Sequence, residues 1–276
     1  MRSLNNSLHL TAWRRYAWLR MSSVSPKRIV LKFGTGILTK PEANTLDYGQ
    51  IERLSQEVAS VVHAGHECIV VSSGAVGAGL MTLGLTERPR DLSGIQACAA
   101  VGQSKLMQIY ETALARHGLH VAQLLLTHFD MDSRTRYLNA ASTLSWLLNA
   151  RTVVPIINEN DSVAVEELRF GDNDRLSAEV AILAQADLLI LLTAADGLMN
   201  GNEVIPEVRD IDAAGEFVQP VKGKYSVGGM ASKLNAVKVA VDAGIPTVIG
   251  SGRTPGVIEA VIAGKQVGTR FIPEGK

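Results

Sequence analysis

Cysteine is scarce in this sequence. Cys68 and Cys98 are the only two, too few for a disulfide framework and without the paired spacing of a zinc site. A reducing, cytoplasmic compartment fits. Neither sign of charge is in excess, with 27 Lys plus Arg against 27 Asp plus Glu. No global field therefore draws the chain to nucleic acid or to an acidic membrane, and ligand recognition has to be local. Long apolar runs are missing too: the closest, residues 178–198, is broken by Glu179, Gln185 and Asp187. It is too interrupted to span a bilayer and reads as a helix, a turn and a buried strand. The six histidines show no metal-ligand spacing and no partner cysteine or serine arrangement, so no metal ligands and no nucleophilic catalysis are expected from them.

What is present is the material of a globular α/β core: 46% hydrophobic residues, 20% charged, 5% aromatic and 25 glycines in 276 residues. The first 26 residues carry Arg2, Arg14, Arg15 and Arg20 with no acid, a composition shared with organelle-targeting segments. Met21 restarts a polar lead, SSVSPK, directly before the first strand. The favoured reading of residues 1–26 is a disordered extension or a misassigned start, with one domain over 27–276.

Short apolar runs, each the length of one buried strand, recur at Ile29–Phe33, Cys68–Ser72, Val121–Leu126, Val153–Ile157, Leu188–Thr193 and Pro246–Gly250. Helix-length stretches lie between them, including 94–117, 134–150 and one with Leu54, Val58, Val61 and Val62 on a single face. Alternation of this kind predicts a three-layer αβα sandwich around a mainly parallel sheet. Residues 164–170 (AVEELRF) break the rhythm and read as an exposed excursion able to cover a site.

Ligands of such sheets sit beyond the carboxyl ends of the strands, and those ends are polar here. Lys32 lies inside the first strand and precedes Gly34-Thr35-Gly36, a turn whose backbone N–H groups can approach a phosphate. A snorkelling lysine beside an ordinary turn is an equal alternative at that point. Ser73-Gly74-Ala75 opens a helix after the second strand, suited to a small anion or simply to close packing. Asn158-Glu159-Asn160-Asp161 and Gly171-Asp172-Asn173-Asp174 supply acceptors and amides fit for the ammonium and carboxylate of an amino acid. Thr193 and Ala194 follow the fifth strand. Val227-Gly228-Gly229-Met230-Ala231-Ser232-Lys233 runs into a helix; its glycine pair and lysine read either as a phosphate clamp, without forming a GxxxxGK[ST] loop, or as a mobile loop with a surface lysine.

Taken in order, LKFGTG (31–36), VSSGAVGAG (71–79), INEND (157–161), GDND (171–174), LLT (191–193) and GGMASK (228–233) resemble the amino-acid kinase family over about residues 27–272. Within it, the pattern is similar to members that phosphorylate the γ-carboxylate of L-glutamate with ATP. The resemblance implies Lys32, Asp174 and Lys233 as the catalytic set, with Asp174 orienting the two lysines. It implies Ser73, Gly74, Asp161 and Asn173 at the glutamate. Thr193, Ala194, Val227, Gly228, Gly229, Met230, Ala231, Ser232 and both lysines would serve ATP, with Mg²⁺ carried mainly by ATP oxygens and water. A homo-oligomer and feedback inhibition by proline are further expectations from the same source, as is a catalytic domain standing without the C-terminal PUA domain of many relatives. Two positions depart from the pattern: Gly36 where relatives often carry serine, and Ala194 where they often carry aspartate. An N-acetylglutamate or aspartate kinase, or a non-catalytic nucleotide or amino-acid sensor, are the competing readings.

Overall fold

The computed structural model describes residues 25–40, 45–163, 172–217 and 229–274. The excursion expected at 164–170, the extension before residue 25, and Gly171, Val227 and Gly228 lie outside these residues.

All six expected strands form: β1 (Arg28–Phe33), β2 (Glu67–Ser72), β3 (His120–Leu126), β4 (Val153–Glu159), β5 (Leu188–Thr193) and β9 (Thr247–Ser251). Between β5 and β9 come three two-residue strands, β6 (Met199–Asn200), β7 (Glu203–Val204) and β8 (Glu207–Val208), and β10 (Thr269–Phe271) follows. Strands this short carry no readable periodicity, which is why the sequence did not announce them. The helices are α1 (Thr35–Leu38), α2 (Tyr48–His63), α3 (Ala75–Thr82), α4 (Leu92–Ala115), α5 (His128–Asp132), α6 (Arg134–Asn149), α7 (Asp172–Leu183), α8 (Ile211–Ala214), α9 (Met230–Asp242) and α10 (Val257–Ile262). Asp47 and Asp91 accept the Gln50 and Gly94 N–H groups and so fix the starts of α2 and α4.

The eight-stranded sheet runs β3-β4-β2-β1-β5-β9-β10-β8, with β6 and β7 forming a separate hairpin. Strands β1 to β5 and β9 are parallel where they pair; β10 pairs antiparallel with β9 and parallel with β8, so these two edge strands run opposite to the rest. Period-two alternation divides the core into two faces. Ile29, Leu31 and Phe33 pack with residues of α2, α4 and α10, whereas Val30 packs with α6, α7 and α9. The three-layer sandwich is therefore present, and Lys32, sharing the parity of Val30, projects on the α7 and α9 side.

The strand order matters most for the site. From β1 the chain builds outward through β2 and β4 on one side and β5 and β9 on the other. The order reverses at β1, and such reversals open the ligand crevice of an open parallel sheet. Close helix packing steadies one wall: a Cβ on Gly79 would lie 1.8 Å from the Cys98 carbonyl oxygen, and one on Gly102 would lie 1.8 Å from that of Ala75. Only glycine lets the α3 and α4 backbones touch, so part of the glycine-rich stretch after β2 serves packing.

Candidate active site

Lys32 leaves β1 just before its carboxyl end, and its ammonium sits 2.5 Å from Asp174 Oδ1. Asp174 lies in the first turn of α7, and its other oxygen is 3.2 Å from the Lys233 ammonium in the first turn of α9. All three residues are buried, at 5%, 2% and 8% exposure. Residues separated by nearly three-quarters of the chain thus share one carboxylate. Burial pushes the Lys32 pKa down, Asp174 opposes that shift, and Lys233 adds to it. Two lysines gathered on one carboxylate in a sparsely hydrated place are suited to meet an incoming anion.

On the β2 and β4 side a chain of amides reaches the same rim. Asn173 Nδ2 donates to Ser73 Oγ at 3.1 Å and to Asn158 Oδ1 at 2.9 Å. Asn158 Nδ2 donates to Gln103 Oε1 at 2.9 Å, and Gln103 Nε2 to Gln123 Oε1 at 3.1 Å. The carboxamide oxygen of Asn173 is buried without a hydrogen-bond partner among the described residues. A buried acceptor in that state favours a ligand that brings a donor, such as an ammonium group. Gly74, at φ 108, turns the chain from β2 into α3, so Ser73 faces the rim. Asp161 follows β4 in the turn after Asn160, at the same strand end. Asn158 and Glu159 belong to β4 itself and not to the loop in which the sequence placed them.

Gln103 escaped the sequence reading. Its signal was a lone amide on the α4 face that also carries Ala99, Leu106 and Tyr110, all buried.

On the β5 side, Thr193 ends the strand and Ala194 is exposed directly after it. A Cβ on Gly36 would lie 3.8 Å from the Ala194 Cβ. The two departures from the family pattern are therefore neighbours across adjacent strand ends. Gly229 precedes α9 in extended conformation, and Met230, Ala231, Ser232 and Lys233 form its first turn. No group of three or more His, Cys, Asp or Glu able to hold a metal occurs among the described residues.

A second polar cluster flanks the β3 and β4 ends. His128 Nδ1 is 2.8 Å from Glu179 Oε2, and Arg175 Nε donates to Glu179 Oε1 at 2.8 Å. The bond to Glu179 raises the His128 pKa against the lowering effect of burial and Arg175, with Glu159 adding to the rise. Burial alone would raise the Glu179 pKa, but His128 and Arg175 bring it below its ordinary value. The stabilisation is fully present below the ordinary histidine value and is lost as pH rises through the raised one. On the acid side it is lost as pH falls through the lowered Glu179 value. His128→Gln is expected to cost about 1–2 kcal/mol near pH 5.5 and distinctly less near pH 8.5. Urea unfolding at the two pH values measures this, and an equal cost at both would disprove the charged pair.

Residues 27–251 match the sequence profile of the amino acid kinase family. The chain belongs to that family. A glutamate 5-kinase of Moorella thermoacetica is 48% identical over 262 residues, covering 92% of this chain and 69% of its own length. Glutamate 5-kinases of Carboxydothermus hydrogenoformans and Trichlorobacter lovleyi are 46% and 47% identical over 91% and 90% of the chain, covering 69% and 67% of their own lengths. Among solved structures, the UMP kinase of Bacillus anthracis aligns with a TM-score of 0.60 at 16% identity, covering 91% of this chain and 98% of its own. The N-acetylglutamate synthase of Neisseria gonorrhoeae aligns with a TM-score of 0.63 at 14% identity, covering 90% and 62%. At such identities the structural likeness speaks for the fold alone. No described helix is long and apolar enough to cross a membrane.

Proposed function

We propose that the chain transfers the γ-phosphoryl group of ATP to the γ-carboxylate of L-glutamate, forming L-glutamyl 5-phosphate and ADP, the first step of proline biosynthesis. The observation that carries this reading is the Lys32–Asp174–Lys233 cluster lying between an amide-lined rim at β2 and β4 and a nucleotide-side rim at β5. Identity near one half to glutamate 5-kinases supports the choice of acceptor.

A glutamate γ-carboxylate, with a reference pKa of about 4.3, is ionised at neutral pH and requires no general base. The protein's work is to align two anions that repel each other and to neutralise the charge on the transferred group. One carboxylate oxygen attacks the γ-phosphorus as the bond to the bridging β–γ oxygen breaks. Lys32 and Lys233 approach the γ-phosphoryl oxygens from two sides, and Asp174 holds them apart and oriented. Ser73, Gly74, Asp161 and Asn173 receive glutamate. Thr193, Ala194 and the segment 227–233 receive the nucleotide. Mg²⁺ arrives with ATP as part of the substrate: both Asp174 oxygens are engaged by lysines, which fits a metal held by phosphate oxygens and water. A cytoplasmic homo-oligomer subject to feedback by proline, with its catalytic unit over residues 27–276, completes the proposal. Two buried free thiols, Cys68 held up to about 12 by burial, suit a reducing compartment.

Incubation with ATP, Mg²⁺ and hydroxylamine traps an acyl phosphate as a hydroxamate. L-Glutamate is expected to outpace N-acetylglutamate and aspartate. Faster turnover of either competitor overturns the acceptor, and ligand binding without ADP release identifies a sensor. Asp161→Ala is expected to raise the glutamate KM at least ten-fold, about what loss of one charged hydrogen-bond partner costs, with little change in the ATP KM. An unchanged glutamate KM removes Asp161 from the acceptor site.

A further inference from the structure

The loop joining β9 to α10 touches both walls of the nucleotide side. Gly252 N–H donates to the Thr193 carbonyl at 2.8 Å, at the end of β5. A Cβ on Gly252 would stand 2.5 Å from Ile37 Cδ1 and 3.2 Å from Leu192 Cβ, so the loop backbone lies directly against α1. From the next residue, Arg253 Nη2 donates to the Gly36 carbonyl at 2.8 Å and to the Thr39 carbonyl at 3.2 Å. These carbonyls belong to the last turn of α1, where helix geometry leaves acceptors unpaired and where a cation is favoured.

The loop is itself held from behind. Arg53 Nη2 donates to the Gly252 carbonyl, to which Gln50 Nε2 also donates at 2.8 Å, and the Glu57 carboxylate accepts the Gly256 N–H at 3.0 Å. Arg53 is also paired with Glu57. Arg253 has no carboxylate partner among the described residues. A rigid strut thus runs from α2 through residues 252–256 to the Gly34–Gly36 turn.

We infer that Arg253 is a positioning residue for the ATP side of the reaction, holding the Gly34-Thr35-Gly36 turn in the direction that polyphosphate binding requires. The inference rests on the reading of that turn and Lys32 as the phosphate side. Its force comes from Gly36 and Ala194. Neither offers a polar side chain, so beside the Thr35 and Thr193 hydroxyls this wall relies on backbone N–H groups, which cannot swing to meet a ligand as a side chain can. Their aim depends on what anchors α1. Arg253 ties down the Gly36 and Thr39 carbonyls of α1, and Gly252 lets the loop close on its flank.

The experiment compares Arg253→Met, which keeps most of the stem, with Arg253→Lys, which keeps a cation able to reach one carbonyl. ADP affinity is measured by titration calorimetry without any acceptor, and KM values for ATP and glutamate are measured by the hydroxamate assay. Arg253→Met is expected to weaken ADP binding and raise the ATP KM about ten-fold, the loss of a charge-assisted pair of hydrogen bonds, with the glutamate KM within about two-fold. Arg253→Lys is expected to recover part of the loss. Unchanged nucleotide affinity, or a glutamate KM rising in step with that of ATP, overturns the inference. Wild-type protein that binds ADP but forms no glutamyl hydroxamate overturns the proposed reaction instead, and the calorimetric comparison still decides the role of Arg253.

Discussion

Replacing Lys233 by alanine is expected to lower kcat by roughly 10²–10³-fold while leaving the glutamate KM within about two-fold. The reason lies in where its charge is spent. Lys233 is buried and its ammonium is fixed by Asp174 at 3.2 Å, so in the proposed reaction it would meet the transferring phosphoryl group already desolvated and oriented. A group in that condition stabilises charge that develops as the bond to ADP breaks, and contributes little to holding glutamate on the opposite rim. Steady-state kinetics with both substrates varied measures the split. Near-normal kcat would refute the assignment, and a loss confined to KM would make Lys233 a binding residue only.

Asp174→Asn is expected to damage both activity and the fold. Its carboxylate is the shared partner of Lys32 and Lys233, and all three side chains are buried. Removing one partner of a buried ionic group leaves uncompensated charge and costs about 3–5 kcal/mol. Asp174 also supports the protonated form of Lys32 against burial and against Lys233. Without it the Lys32 pKa falls further, so the residual activity of the variant should fail on the alkaline side at a lower pH than that of the wild type. The triphosphate of ATP can replace the missing negative charge. MgATP should therefore raise the melting temperature of Asp174→Asn by more than it raises that of the wild type. An equal shift in the two proteins, with unfolding in urea also unchanged, would show that Asp174 does not neutralise the lysines.

Much of this architecture was legible in the chain because its signals are local. Runs such as IVLKF and LLILLT are apolar on both faces, which only a doubly covered parallel strand requires, and their lengths allowed little else. The edge of the sheet was not legible, since β8 and β10 draw their stability from β9 and from one another rather than from any pattern of their own. Site residues followed the same division. Ser73 and Asp161 stood out as polar groups directly after core strands, and Asn173 as part of the polar turn Gly171-Asp172-Asn173-Asp174. Gln103, which completes the amide chain behind Asn158, is one polar residue in a long helix and acquires meaning only when α4 packs beside β3 and β4.

By itself the sequence determined the layered α/β class, the six longer strands and their polar ends, because burial and backbone geometry act over a few residues at a time. Tertiary structure alone decided that β1 is the strand at which the order reverses. It set the distances at which Lys32 and Lys233 meet the Asp174 carboxylate, and it decided that Gly36 lies against Ala194 and that Arg253 reaches back to α1. The physical reason is that these contacts join segments far apart in the chain, and their distances are set by how the helices close over the two faces of the sheet.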